Sequence, residues 1–190
     1  NLIASRNGRM IYVNPDDFNA SDLISNSGNS PTRPFKTLQR AILEVARFSY
    51  VAGQNNDKYD QFTINLAPGD YIVDNRPGKS NSAEVPELSD QSNFDILDPN
   101  NDLYKFNAVT GGMVIPRGTS IVGMDLRKTR VRPRYVPEPT DQSVARTSIF
   151  NVTGACYFWQ FSLFDALPNS DSSGLGGVYN YPTEIGRAHV

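Results

Sequence analysis

The fold is decided by the stretch Asn29-Ser30-Pro31-Thr32-Arg33-Pro34-Phe35-Lys36-Thr37-Leu38-Gln39-Arg40-Ala41-Ile42, in which a polar loop runs directly into a helix. Strand patterns lie on both sides of that helix. Its apolar residues recur at helical spacing, which predicts an α-helix around residues 37–52 with one buried face. The stripe consists of Leu38, Ala41, Ile42, Val45 and Phe48.

The ends of this helix also carry signals. Thr37 is the predicted N-cap, Pro34 precedes the helix where a missing N–H costs nothing, and Gly53 ends it. An apolar stripe of this kind suits a helix that covers the open end of a solenoid, and it also suits a helix packed on any other sheet. The polar residues are predicted to face solvent; they are Gln39, Arg40, Glu44 and Arg47.

After the helix the pattern changes to short extended runs separated by turn residues. Three runs with tight turns between them, at 113–115, 120–123 and 129–132, predict one coil of a repeating structure. A second coil is predicted from 148–152 and from a continuous apolar run at 156–164. Aligning Met113 on Ile149 also brings Ile121 onto Tyr157, which predicts the register of the repeat.

The phrase Pro34-Phe35-Lys36-Thr37-Leu38 resembles the start of domains in the pectate-lyase-like superfamily. The resemblance implies a mainly β protein: the first coils only of a right-handed single-stranded parallel β-helix with an N-terminal capping α-helix. It also implies the domain organisation. Residues 1–60 are a first strand, polar loop and capping helix, and 61–183 begin the β-helix, with insertion loops near 74–111 and 133–147.

A wider set of phrases narrows the resemblance. The most discriminating one runs from Val114 to Thr129, and the others are Ile11-Tyr12-Val13-Asn14-Pro15, Leu66-Ala67-Pro68-Gly69-Asp70-Tyr71 and Tyr157-Phe158-Trp159-Gln160-Phe161. Together with the Pro34 phrase they are similar to virion structural proteins of contractile-tailed cyanophages, over about residues 10 to 165.

This narrower resemblance implies a non-enzymatic phage structural protein, tail- or baseplate-associated or of the fibre type, used as a rigid spacer or a host-adsorption surface. It implies a homotrimer, other virion tail proteins as partners, a host surface glycan as a possible ligand, and localisation in the virion after assembly in the host cytoplasm. Two alternatives stay open. One is a polysaccharide-degrading β-helix enzyme (tailspike depolymerase or lyase), and the other is a bacterial surface adhesin.

Composition bounds the function further. The chain has 190 residues, 38% of them hydrophobic, and a net charge of −2. It therefore lacks the basic character of a nucleic-acid-binding domain, and no nucleic-acid partner is predicted. There is no run of about 18 apolar residues, so no membrane insertion is predicted.

The last seven residues, 184–190, match one reading frame of a widely used DNA-sequencing adaptor. We expect them to be an adaptor-derived tail and the chain to be an open-ended piece of a longer protein; the alternative is a native tail. His189 is the only histidine in the chain. If the tail is adaptor-derived, histidine-based catalytic and metal sites are excluded from the native segment.

Two features are candidate carbohydrate-binding sites. Trp159 and Tyr157 lie two residues apart, so on an outward strand face they would stack against sugar rings, whereas the apolarity of their surroundings favours burial. The second feature is a basic strand whose outward face attracts an anionic glycan or is simply solvated. Its residues are Lys128, Arg130, Arg132 and Arg134.

No catalytic residue, cofactor or metal site is predicted. Cys156 is the only cysteine and is predicted to be a small core residue. The oxygen-rich segment 98–102 lacks the glycine and the final glutamate of a calcium-binding loop. The acid-rich stretch that contains this segment is predicted to be an insertion loop, and no pair of its acids has the spacing of two catalytic carboxyls. Its acids include Glu87, Asp90, Asp95 and Asp98.

Overall fold

The computed structural model describes residues 9–49, 61–73, 75, 112–133, 149–152 and 154–163. This part of the chain is mainly β, with strands in parallel sheets and one helix. In chain order the elements are β1 (Arg9–Val13), α1 (Leu38–Ser49), β2 (Phe62–Leu66), β3 (Gly69–Val73), β4 (Met113–Ile115), β5 (Thr119–Gly123), β6 (Thr129–Pro133), β7 (Phe150–Val152), β8 (Tyr157–Trp159) and β9 (Ser162–Leu163).

The strands form three sheets in which every described pairing is parallel. The first sheet has the order β1-β2-β5-β8, the second has β3-β6-β9, and the third pairs β4 with β7. From β2 onward, successive strands belong to the first, second and third sheets in turn, and this order of sheets then repeats. We call β2, β3 and β4 the first layer, β5, β6 and β7 the second layer, and β8 and β9 the third layer.

The sequence pattern predicted the strands better than their register. Met113 pairs with Phe150, and Ile121 pairs with Phe158. The predicted alignment of Met113 on Ile149 and Ile121 on Tyr157 is therefore wrong by one residue. Because side chains alternate along a strand, that step exchanges the inward and outward faces. Phe158 takes the inward position on β8.

One apolar core lies between the sheets and the helix. Each strand of the first sheet sends alternate residues inward, and in the register Ile11, Ile64 and Ile121 follow one another. All three are buried, and the core joins them to the second and third sheets through Val73, Val131 and other residues. Alternation with a period of two on β2, β5 and β6 is the reason that these segments were recognisable as half-buried strands.

The apolar stripe predicted for the helix is buried in the structure. Leu38, Ala41, Ile42 and Val45 are fully buried in the core, and Thr37 acts as N-cap because its hydroxyl accepts a hydrogen bond from the Arg40 N–H at 3.2 Å. The helix begins at Leu38. Residues 50–52 of the predicted helix, Gly53 and the side chains of Arg47 and Phe48 lie outside the described part.

The prediction that the polar residues of α1 face solvent is wrong for Gln39, Arg40 and Glu44, all of which are buried. The reason is the loop between β1 and α1, which folds over the outer side of the helix. Gln39 reaches the other way, where its side-chain amide donates to the Ile72 carbonyl on β3 at 2.9 Å. It thereby pairs a backbone group on the open edge of the second sheet.

A buried polar cluster fastens the loop to the helix. The Asp22 carboxylate accepts hydrogen bonds from the backbone N–H groups of Lys36 and Thr37 and from the Thr37 hydroxyl, at 2.8, 3.2 and 2.8 Å. Arg40 is fully buried. Its guanidinium donates to Glu44 at 2.7 Å and to the Asp22 carbonyl at 3.1 Å, and it lies 4.3 Å from the centre of the Phe35 ring. A charge in this position is tolerated because it is paired and hydrogen-bonded.

The same loop covers the outer edge of β1. Phe35 forms a parallel bridge with Val13, donating its N–H to the Tyr12 carbonyl while its own carbonyl accepts from Asn14. The Gly28 carbonyl accepts from the Tyr12 N–H at 2.8 Å. An open strand edge is a template for unwanted pairing, and here loop backbone occupies it. The helix covers the core and the loop covers the edge.

The apolar run at 156–164 is two strands, not one. Gln160 adopts a positive φ of 54° between β8 and β9, which breaks the extended run. Its backbone packs against Gly123 of the second layer, where an added Cβ would collide with the Gln160 carbonyl. Gln160, a polar residue inside the apolar run, marks this corner.

We expect Gly28→Ala to destabilise the protein by about 1–3 kcal/mol, because Gly28 has φ of 61° and an added Cβ would overlap the Phe35 ring. Urea denaturation followed by circular dichroism measures the loss. Ser27→Ala is the control, since Ser27 is the exposed neighbour of Gly28 in the same loop. Equal stability of the two variants would contradict the role given to Gly28.

Candidate functional site

The outward face of the first sheet has no charged side chain along the two rows of residues that cross its four strands. In one row Met10, Thr63, Ser120 and Tyr157 follow one another across the four strands, and in the next row Tyr12, Asn65, Val122 and Trp159 do so. The residues of the first two layers in these rows are half-buried. The surface therefore offers hydroxyl and amide groups in its middle and aromatic rings at its third-layer end.

Tyr157 and Trp159 form the aromatic end of this face, and we call them the aromatic pair. Their rings are parallel to within 14°, with centroids 6.1 Å apart. The side chains are 52% and 53% exposed. All three residues of β8 are exposed, Phe158 to 37%, so the prediction that favoured burial of this run on both faces is wrong for the whole strand. Tyr157 and Trp159 occupy its outward positions. Phe158, between them, stacks on Phe150 at 5.6 Å toward the core.

The outward face of the second sheet carries the basic residues. Arg130 pairs in register with Asp70 on β3, and their side chains form an ion pair at 2.7 Å. Arg132 lies 3.3 Å from the other oxygen of the same carboxylate. One acid thus serves two arginines, so the face has less positive charge than the sequence alone indicates. We call Asp70, Arg130 and Arg132 the arginine face.

The structure brings together two of the four predicted basic residues. Lys128 lies in the turn before β6, where its side chain is exposed and its carbonyl accepts a hydrogen bond from Gly69. Arg134 lies outside the described residues. Sequence reasoning missed Asp70, although it is the residue that holds the arginines. The signal was present in the strand alignment, which places Asp70 beside Arg130 once β3 is paired with β6.

The turn between β5 and β6 is organised by Asp125. Its carboxylate accepts hydrogen bonds from the backbone N–H groups of Arg127 at 2.8 Å and Lys128 at 3.0 Å. These two bonds, followed by the positive charges of the same two side chains, hold the pKa of Asp125 below its usual value. The turn sets where β6 begins and therefore where the arginine face lies.

We expect this turn to contribute stability that acid removes. Because the folded protein lowers the pKa of Asp125, the unfolded chain binds the proton more readily, so stability falls as the pH drops below about 4. Asp125→Asn should flatten the acid limb of a plot of unfolding free energy against pH. Leu126→Asn is the control, because it changes an exposed uncharged residue of the same turn and should keep the acid limb of the wild type. An unchanged profile in Asp125→Asn would contradict the assignment.

Cys156, predicted to be a core residue, is only half-buried at the margin of the core. It packs against the core, and its thiol donates to the Pro116 carbonyl at 3.4 Å. Burial raises the pKa of the thiol, so it is a poor nucleophile. Within the described residues no cluster of three or more potential ligands is arranged to hold a metal ion. The acids of the predicted insertion loop, including Glu87, Asp90, Asp95 and Asp98, and His189 of the tail lie outside that part.

Comparisons of the chain with protein-family models, with curated proteins and with solved structures find no match. The helix α1 falls short of the length and apolar character needed to cross a membrane, and no other helix occurs in the described part of the chain.

Proposed function

We propose that the chain is the beginning of a right-handed parallel β-helix that serves as a non-enzymatic structural part of a phage virion, tail- or baseplate-associated or of the fibre type. The observation that carries the fold is the order in which strands visit the sheets. From β2 to β9 the chain passes through the first, second and third sheets in the same sequence, and every described pairing is parallel. Right-handed winding follows from the strong preference of parallel crossovers for that hand.

The capped start supports a spacer role. A solenoid can extend by adding layers, but its first layer leaves an open core and an open strand edge. Here α1 closes the core, the loop closes the edge of β1, and Gln39 pairs a carbonyl of β3. A layered rod with one closed end suits a rigid element of a virion or an adsorption surface. A homotrimer and other tail proteins are the partners that we propose.

The intact gene and its neighbours test this proposal. Recovery of the gene among tail or baseplate genes would support the virion assignment. A gene that encodes a secretion signal and a cell-surface anchor would overturn it in favour of a bacterial adhesin. Light scattering of the purified intact protein tests the trimer separately, since a stable monomer would remove the fibre-type assembly.

A polysaccharide-degrading enzyme is the second candidate, and one observation favours it. Asp70 lies against Arg130 and Arg132 on an outward sheet face, which places a carboxylate and two basic groups on one surface. On a bound sugar such a carboxylate serves proton transfer, and the two guanidinium groups hold negative charge. The test is release of reducing ends or unsaturated products from a panel of neutral and anionic polysaccharides, with and without Ca²⁺. Turnover that Asp70→Asn abolishes would replace the structural proposal by the enzymatic one.

A further inference from the structure

We infer that the outward face of the first sheet is a binding site for neutral carbohydrate, with the aromatic pair Tyr157 and Trp159 as its stacking surface. The inference rests on the adsorption role proposed above and names the ligand class. It places the sugar site on the first sheet and not on the basic strand, which belongs to the second sheet.

The first step is the geometry of the aromatic pair. Tyr157 and Trp159 occupy alternate positions of β8, so both project from the same side of the sheet. Their rings are nearly parallel and their centroids lie 6.1 Å apart, close to the advance of two residues along a strand. Both side chains remain about half exposed. Aromatic faces of this kind pack well against the C–H surface of a sugar ring, which is apolar.

The second step is the chemistry of the neighbouring rows. Moving from the aromatic pair across the sheet, the ligand would meet Ser120 and the apolar Val122, then Thr63 and Asn65. The polar side chains among them offer hydroxyl and amide groups that donate and accept hydrogen bonds. A sugar presents hydroxyls at its rim and C–H groups on its face, and the sheet presents the matching groups side by side.

The third step is charge. The two rows that cross the four strands contain no acid and no base. An anionic glycan or a single-stranded nucleic acid requires positive groups along its path, and these rows offer none. The arginines lie on the second sheet, where Asp70 already pairs with them. A second copy of the chain is also disfavoured, because the centre of the face is small and polar where a stable subunit interface is apolar.

Trp159 is the only tryptophan of the chain, so fluorescence excited at a wavelength that tyrosine does not absorb reports on this site alone. Titration of the full chain with soluble neutral oligosaccharides of glucose, galactose and N-acetylglucosamine should shift the emission of Trp159 and protect it from acrylamide quenching. The apparent affinity should change little between about 0.1 and 1 M salt, because no ion pair forms. Dextran sulfate serves as the anionic probe.

Three variants make the test specific. Tyr157→Ala keeps the reporter and should weaken binding of the best neutral probe at least about tenfold. Trp159→Phe retains a ring and should retain most of the affinity in calorimetry. Phe18→Ala is the matched control, since Phe18 is 98% exposed on the loop beside α1 and its loss should leave binding unchanged.

Binding of no neutral probe would overturn the inference, and so would binding that survives Tyr157→Ala. Salt-sensitive binding of dextran sulfate that is lost in Arg132→Ala would place the site on the arginine face instead. A change of oligomeric state in Trp159→Ala without a change in sugar binding would make the aromatic pair a subunit contact. None of these results touches the virion assignment, which depends on the gene neighbourhood.

Discussion

Ile42→Asp is expected to cost about 4 kcal/mol or more of unfolding free energy, or to prevent folding altogether. Ile42 is fully buried in the middle of the α1 stripe and belongs to the core that joins the helix to all three sheets. A carboxylate there would be desolvated among apolar side chains without a partner. Urea denaturation monitored by circular dichroism measures the change.

Leu23→Asp provides the control for this experiment. Leu23 belongs to the loop that covers α1 and is 51% exposed, so the same kind of substitution leaves the carboxylate in water. Its effect should stay within about 0.5 kcal/mol. If Ile42→Asp had the unfolding midpoint of the wild type, the assignment of α1 as the cover of the core would be wrong.

Arg40→Ala is the second substitution with a large expected effect, about 3–5 kcal/mol. The change would leave the Glu44 carboxylate buried without the guanidinium that donates to it at 2.7 Å. It would also remove the donors for the Asp22 and Asn26 carbonyls, and with them part of the fastening of the loop to the helix.

The arginine face supplies a matched control for Arg40→Ala. Arg130 contacts Asp70 at the same distance of 2.7 Å, but the two side chains are 39% and 42% exposed. Solvent screens such a pair, so Arg130→Ala should cost no more than about 1 kcal/mol. The double variant Arg40→Met with Glu44→Leu should recover part of the loss, because it removes both charges. Equal losses of unfolding free energy in Arg40→Ala and Arg130→Ala would contradict the claim that burial makes the Arg40–Glu44 pair the costlier one to break.

The sequence revealed the elements because their patterns are local. The stripe of α1 and the alternation of β2 and β5 depend only on which face of each element is buried. Register is not local in this sense. Tyr157 and Phe158 are neighbouring aromatic residues, so composition alone does not decide which of them faces inward. Only the pairing of the strands resolves that choice.

The environment of the helix was unpredictable for a related reason. Arg40 and Glu44 are charged, and a charged residue opposite an apolar stripe normally faces water. Their burial depends on the loop, through Asp22, which is distant in sequence. The candidate site shows the same limit. The alternation of side chains along β8 was enough to suggest an outward aromatic pair. That Asp70 neutralises the arginines could be inferred only from the pairing of β3 with β6.

The stacking of the layers has a mechanical consequence. Hydrogen bonds between the first and second layers belong to three separate ladders, β2–β5, β3–β6 and β4–β7. A tensile load along the stacking direction would therefore be shared by three ladders at once. Between the second and third layers the described ladders are shorter, because β8 pairs with only part of β5 and β9 with only part of β6. Among the described layers, the pairing of the first layer with the second would therefore resist such a load better than the pairing of the second with the third.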